Sequence, residues 1–272
     1  MSGTTHEKFT RMVEWFSSNS KVGAIVALSG GVDSSVVALA AKKAFQNNAI
    51  AITANYKTLS HDEISSAINV ANEIKIRHKI IEYNELENLR FTSNDKLRCY
   101  YCRGELTSSL LKESKKFGIN LIVDGTHIDD LSDIRPGIKA LRENGVRSPM
   151  IELGLHKVEI RSIAKFFGLS TYNKPSNSCL ASRIPEGTKI TYEKLKRIEM
   201  SEIFVKRIFN VNQVRVRDHG EIARVEVGSD ELDKLFDVKK LELLDMRLKE
   251  LGFKFVSIDA KGYHTRNLVV IR

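Results

Sequence analysis

Cysteine is scarce in this chain: three residues in 272, an odd number and too few for a disulfide framework. With no other secretory sign, that usage predicts a reducing compartment. No apolar run approaches the roughly 20 residues that cross a bilayer, so no membrane partner is expected. The first residues, MSGTTHEKFTRMVEWF, hold no signal-peptide core, and the expected location is cytoplasmic. Histidines are scattered without a His-x-x-x-His or similar spacing, so none is assigned a metal. Internal repeats, low-complexity tracts and lysine blocks of five or more are missing as well. What remains is ordinary for a globular enzyme: 42% hydrophobic and 28% charged residues. The net charge of +9 suits an anionic partner, either nucleic acid or smaller phosphate-bearing ligands. Because the lysines are dispersed, most of them read as solvated surface.

Apolar runs at 24–28, 49–54, 78–83 and 119–126 alternate with helical patterns at 34–45, 62–74, about 103–117 and about 156–168. That alternation predicts an α/β fold with a doubly wound, mostly parallel sheet, whose ligand sits beyond the carboxyl ends of the strands. Ser29, Thr53 and the stretch Asp124 to Thr126, with Gly125 between them, fall at such ends. The pattern changes after Pro185. A long helix at 191–209, strands at 211–217 and 221–227 around a turn at Asp218-His219-Gly220, two helices over about 229–251 and a strand at 253–259 predict a smaller α+β domain. The expected domains are 1–187 and 188–272.

The segment 24-AIVALSGGVDSSVVAL-39 carries the strongest signal. Gly30 and Gly31 let the backbone fold tightly around an anion. Ser29, Ser34 and Ser35 add hydroxyls, and a helix starting near Ser34 turns its positive end toward the loop. This arrangement suits a polyphosphate, yet it is not a Walker loop, because the Gly-Lys-[Ser/Thr] ending is missing. Residues 29-SGGVDS-34 match in full the signature of the PP-loop ATP pyrophosphatase superfamily, which the sequence resembles. The resemblance implies ATP as ligand, its pyrophosphate held in the loop and its adenine near Thr53 to Tyr56, with adenylation of a substrate and release of pyrophosphate. Mg2+ is implied by the phosphates, with Asp33 and Asp129 or Asp130 as its expected ligands; a solvated helix start is the other reading of Asp129 and Asp130.

Cys99 and Cys102 form Cys-x-x-Cys in 97-LRCYYCRGEL-106, and Cys179 follows far behind in 175-PSNSCLASR-183. The close pair suits one metal or one cluster face, a redox disulfide, or two buried small side chains. Residues 175–191, PSNSCLASRIPEGTKIT, together with the phosphate loop and the two-domain layout, resemble the LarE family, the sulfur-inserting branch of the superfamily that contributes to the nickel-pincer nucleotide cofactor. The resemblance spans nearly the whole chain. It implies a [4Fe-4S] cluster on Cys99, Cys102 and Cys179, with one iron free to hold sulfide; zinc on three cysteines and a water is the competing metal.

Pyridinium-3,5-biscarboxylic acid mononucleotide is the carboxylate substrate the resemblance implies, along with a sulfide donor and a homo-oligomer. In 214-VRVRDHGEIARVEV-227 the period of two puts Arg215 and Arg217 on one strand face, where they form a fork for the substrate's phosphate or pair with Glu221 or Glu226. Arg183 beside Cys179 is expected to steer the acyl group or AMP, which with Cys179 and Asp33 gives the catalytic set. Lys157 and Arg161, one turn apart, are either phosphate contacts or a solvated face. Two other enzymes share parts of this pattern: an iron–sulfur tRNA thiolase and an amidating ligase like NAD or GMP synthetase. No RNA-binding appendage supports the first, and the second has no use for three cysteines. A nucleotide-sensing adaptor would bind ATP without releasing pyrophosphate.

Overall fold

Small and branched apolar residues make Ala24–Ala27 a buried strand, β1, at the middle of a parallel sheet. The computed structural model describes residues 4–132, 136–175 and 177–263. In chain order they form α1 (Thr5–Asn19), β1, α2 (Val32–Phe45), β2 (Ala49–Asn55), α3 (His61–Ile74), β3 (Arg77–Glu82), α4 (Leu89–Thr92), α5 (Arg98–Phe117), β4 (Ile122–Val123), α6 (Pro136–Glu143), α7 (Pro149–Glu152), α8 (Lys157–Phe166), α9 (Tyr192–Phe209), β5 (Val214–His219), β6 (Ile222–Val227), α10 (Val238–Glu250) and β7 (Phe255–Ile258). Two compact units result, Met1–Phe91 with Asp95–Asn177, and Thr92–Asn94 with Ser178–Arg272.

In the first unit the strands lie in the order β3-β2-β1-β4 and all run parallel. The chain winds outward from β1 to β3 and then returns to β1's other side at β4. That reversal creates a crevice beyond the strand ends between β1 and β4. The α/β, parallel-sheet expectation therefore holds. Helix α2 buries Val32, Val36, Val37, Ala38, Ala40 and Ala41, which fixes its start, and the loop before it, against the sheet. β4 is shorter than the apolar run 119–126 suggests, because at Asp124 the chain leaves β1 and hydrogen-bonds Arg147 instead.

The second unit contains the antiparallel pair β5–β6 with β7 added parallel to β6. Valines 214, 216, 225 and 227 pack with Val205, Phe209, Leu244 and Leu248 of α9 and α10. The β5–β6 turn is the two residues Gly220-Glu221 rather than Asp218-His219-Gly220, because Asp218 and His219 still belong to β5. His219 pairs with Ile222, and Gly220, at φ +76°, supplies the left-handed first turn position. Of the two helices expected over about 229–251, the first is a 3-10 segment, Ser229–Leu235.

The division between units falls at Asn177–Ser178, earlier than the expected Gly187. The cause is local. The Asn94 amide donates to the carbonyls of Ile184, Pro185 and Thr188, and the Thr92 carbonyl accepts from Ile190. Those bonds hold the Pro185-Glu186-Gly187 segment inside the second unit.

Candidate functional site

The loop after β1 turns on Gly30, which takes φ +73°. A side chain there would strike the backbone of α3, at 2.6 Å from Ala67 N and 2.8 Å from Glu63 O, so only glycine fits. The Gly30 carbonyl is held by Ser66 Oγ and Lys174 Nζ, each at 2.9 Å. Gly31 caps α2 without a side-chain hydrogen bond, and the helix start borders a cavity of about 110 Å³ lined by Ser29, Gly31, Asp33, Glu63, Lys157 and Lys174 among others. Gly125, beyond β4, backs the same loop from behind: a Cβ on it would sit 2.7 Å from Ser34 N.

Of the loop residues expected to meet a nucleotide, Ser29, Gly31 and Asp33 line the cavity. Ser34 and Ser35 are buried and tie the loop together instead. The Ser35 hydroxyl donates to Gly31 O at 2.7 Å, and Ser34 Oγ accepts from Ser29 N at 3.1 Å. Thr53 is buried too; its hydroxyl donates to Leu28 O at 2.7 Å and lies 2.8 Å from His78 Nε2, so it joins strands rather than facing a base. Thr126 is folded onto Asp124, whose carboxylate accepts from both its N–H and its hydroxyl.

Lys157 is the cation the cavity brings forward. Its Nζ lies 2.6 Å from both carboxylate oxygens of Asp33. Arg161, one turn on, points elsewhere and caps the Tyr172 and Lys174 carbonyls at 2.6 and 2.9 Å. Asp129, expected at the magnesium, accepts from Lys157 N at 2.7 Å and His156 Nδ1 at 2.9 Å, so it caps the start of α8. The hydrogen bond from His156 holds Asp129 below the usual carboxylate range, and Asp129 in turn holds His156 above 6.5. Asp130 accepts from His127 N at 3.2 Å. Lys174 and Glu63 in the cavity wall were not among the expected residues, and Asn177, although inside the 175–191 segment, was assigned no role there.

The Cys-x-x-Cys pair lies on the first turn of α5, which begins at Arg98 instead of near residue 103. Spacing of three puts Cys99 and Cys102 on one helix face. Cys99 is exposed and Cys102 half-buried. Gly137 of α6 packs against the Cys99 carbonyl, where a side chain would stand 3.3 Å away. Nearby, burial first and the neighbouring Cys102 next push the Tyr83 phenol upward, and that ring stacks on Tyr56 at 5.4 Å. Cys179, half-buried, belongs to the second unit. Among the described residues, no three His, Cys, Asp or Glu side chains are gathered as a metal-holding group.

In the second unit Arg183 is 1% exposed and bonded to Glu202 and to the backbone around Cys179, away from any open surface. Arg217 makes a two-point pair with Glu226 at 3.0 and 2.9 Å, and Arg224 joins the same carboxylate at 2.7 Å. Arg215 is buried, donates to Val214 O, and lies over the Tyr263 ring. Burial, then the nearby Arg183 charge, lowers its affinity for the proton. Arg217 and Arg224 are thus gathered on Glu226, the pairing that competes with a phosphate fork, while Arg215 is held apart from it.

A profile of the queuosine biosynthesis protein QueC matches residues 23–97. The uncharacterized protein slr1717 of Synechocystis is 40% identical over 245 residues, covering 90% of this chain and 91% of that protein. The pyridinium-3,5-bisthiocarboxylic acid mononucleotide synthase of Lactiplantibacillus plantarum is 28% identical over 243 residues, 88% of this chain and 86% of the enzyme. The tRNA-specific 2-thiouridylase MnmA of Rickettsia rickettsii is 23% identical over 242 residues, with 75% of this chain and 65% of the relative covered.

Proposed function

The chain belongs to the LarE family of the PP-loop ATP pyrophosphatase superfamily, and from that premise we propose that it adenylates a substrate carboxylate with ATP and converts it to a thiocarboxylate. The observation that carries this reading is the cradle itself: a Gly30–Gly31 turn, the open end of α2, and Lys157 beside Asp33 around one cavity. Polyphosphate suits such a place, because N–H donors and an ammonium stabilise the charge that grows on departing pyrophosphate.

A carboxylate oxygen of the substrate attacks the α-phosphorus, the bond to the β-phosphate oxygen breaks, and pyrophosphate leaves with its electron pair. The acyl-adenylate now has AMP as a stable leaving group. A sulfur nucleophile adds to the acyl carbon and AMP departs, leaving the thiocarboxylate. Lys157 exchanges Asp33 for phosphate oxygens when ATP enters, and Asp33 is then available to Mg2+. Pyridinium-3,5-biscarboxylic acid mononucleotide is the proposed substrate. Its phosphate enters the Arg215–Arg217–Arg224 group by displacing Glu226.

Three cysteine thiols, two of them on one helix face, are soft donors of the kind that a [4Fe-4S] cluster takes. Cys99, Cys102 and Cys179 would hold it, and it would supply an iron without a protein thiolate where sulfide is kept. Anaerobic purification tests this, with an absorption spectrum and iron and sulfide counts on the wild type and on Cys99→Ala, Cys102→Ala and Cys179→Ala. Loss of the chromophore in each variant is expected; an intact chromophore removes that cysteine from the set. Pyrophosphate release that depends on the biscarboxylate mononucleotide tests the reaction, and its absence overturns the substrate. The tRNA-specific relative and the +9 charge support a second reading, thiolation of tRNA. Pyrophosphate release stimulated by tRNA alone would select it.

A further inference from the structure

Arg183 is a charged side chain among the most deeply buried in the second unit. A buried guanidinium is costly unless every donor is met. Here Nε and one terminal nitrogen grip the Glu202 carboxylate at 2.8 and 3.2 Å. The other terminal nitrogen faces the turn around Cys179. It donates to Ser178 O at 2.5 Å and Cys179 O at 3.0 Å, with the Ser178 and Ser182 hydroxyls at 3.0 and 3.1 Å. Glu202 in turn accepts from Val216 N at 3.0 Å. One ion pair therefore ties the Cys179 turn to α9 and, through Glu202, to β5.

We infer that Arg183 is a positioning residue for Cys179: the Arg183–Glu202 pair fixes the main chain of the turn, and so aims the sulfur. Two features support this beyond a plain structural role. The bonds go to carbonyl oxygens of residues 178 and 179, so the clamp keeps its grip whatever chemical state the Cys179 side chain is in. The thiol itself stays half-buried while the backbone that carries it is pinned. Lysine in place of Arg183 is a point charge on a flexible stem and cannot span Glu202 and two carbonyls at once.

The importance of Cys179 rests on the sulfur-transfer reading, so the experiment has one arm that does not. In a Cys99→Ser, Cys102→Ser background, Cys179 is alkylated with iodoacetamide in the parent, in Arg183→Lys and in the double variant Arg183→Met with Glu202→Gln. The double variant removes both charges yet keeps an acceptor for Val216 N, so it guards against a variant that fails to fold. An alkylation rate at least threefold above the parent in either variant, with the melting transition retained, is the expected result. A rate within 1.5-fold of the parent in the folded double variant overturns the proposal.

The second arm uses the three-cysteine enzyme. Arg183→Lys is expected to lower kcat for thiocarboxylate formation at least tenfold while the KM for ATP stays within twofold. Parallel loss of both points to general damage and overturns positioning. If the wild type forms no thiocarboxylate, the functional reading fails while the alkylation arm still decides the clamp.

Discussion

Gly30 and Gly125 are glycines for different physical reasons. Gly30 needs a left-handed backbone, whereas Gly125 has an ordinary one and lacks only the room for a Cβ against Ser34. Gly125→Ala is expected to push the loop out of shape and raise the KM for ATP by roughly tenfold, equivalent to about 1.4 kcal/mol of lost binding. Pyrophosphate-exchange kinetics measure it, and an unchanged KM would show that the loop moves without consequence. Lys157→Ala removes the ammonium from the cradle, and a similar rise of roughly tenfold is expected, with a smaller rise for Lys157→Arg. At this scale the sequence was partly legible. Ser29, Gly31 and Asp33 line the cavity, while Ser34, Ser35 and Thr53 spend their hydroxyls on nearby carbonyls and side chains. A motif states which residues stand together; the acceptor each hydroxyl finds depends on backbone placed by distant parts of the chain.

Among the elements, α8 and the segment around Asn94 decide most. Asn94 sits at φ +58° and serves three carbonyls, so Asn94→Ala loses hydrogen bonds and strains the backbone together. A destabilisation of about 2–4 kcal/mol is expected in urea unfolding; a loss below 0.5 kcal/mol would contradict it. The start of α8 carries a pH dependence. His156 has its proton affinity raised by Asp129, so its share of the contact is present at low pH and is lost as pH rises through its elevated value. Asp129 is lowered, so its share is lost as pH falls through its depressed value. The contact is strongest between those two limits. His156 should titrate above 6.5 by NMR, and Asp129→Asn should return it toward that value. The parallel strands and helices α2, α3, α5, α8 and α9 were legible from apolar periodicity, whereas α1, α6 and α7 were not among the expected elements. The start of α5 at Arg98 was not, since the Cys-Tyr-Tyr-Cys run has no apolar stripe to extend the helix backward.

For the whole molecule, the charge of +9 bears on which anion is engaged. A mononucleotide presents one phosphate, so its KM should rise only a few-fold between 50 and 200 mM salt, whereas a partner touched at 6–10 phosphates would lose about 10³–10⁵ in affinity. Isothermal titration with the mononucleotide and with tRNA at both salts separates them. The Gly30–Gly31 turn before α2, the alternation that builds a parallel sheet and the spacing of Cys99 and Cys102 are local, carried by residues within a few positions of one another, and these the amino-acid order determined by itself. The Asp33–Lys157 pair, the burial of Arg183 on Glu202, the gathering of arginines on Glu226 and the unit to which Cys179 belongs join residues far apart in the chain. Only folding decided them, because a charge in a half-buried setting takes whichever opposite charge the packed backbone brings within reach, and spacing along the chain does not record that distance.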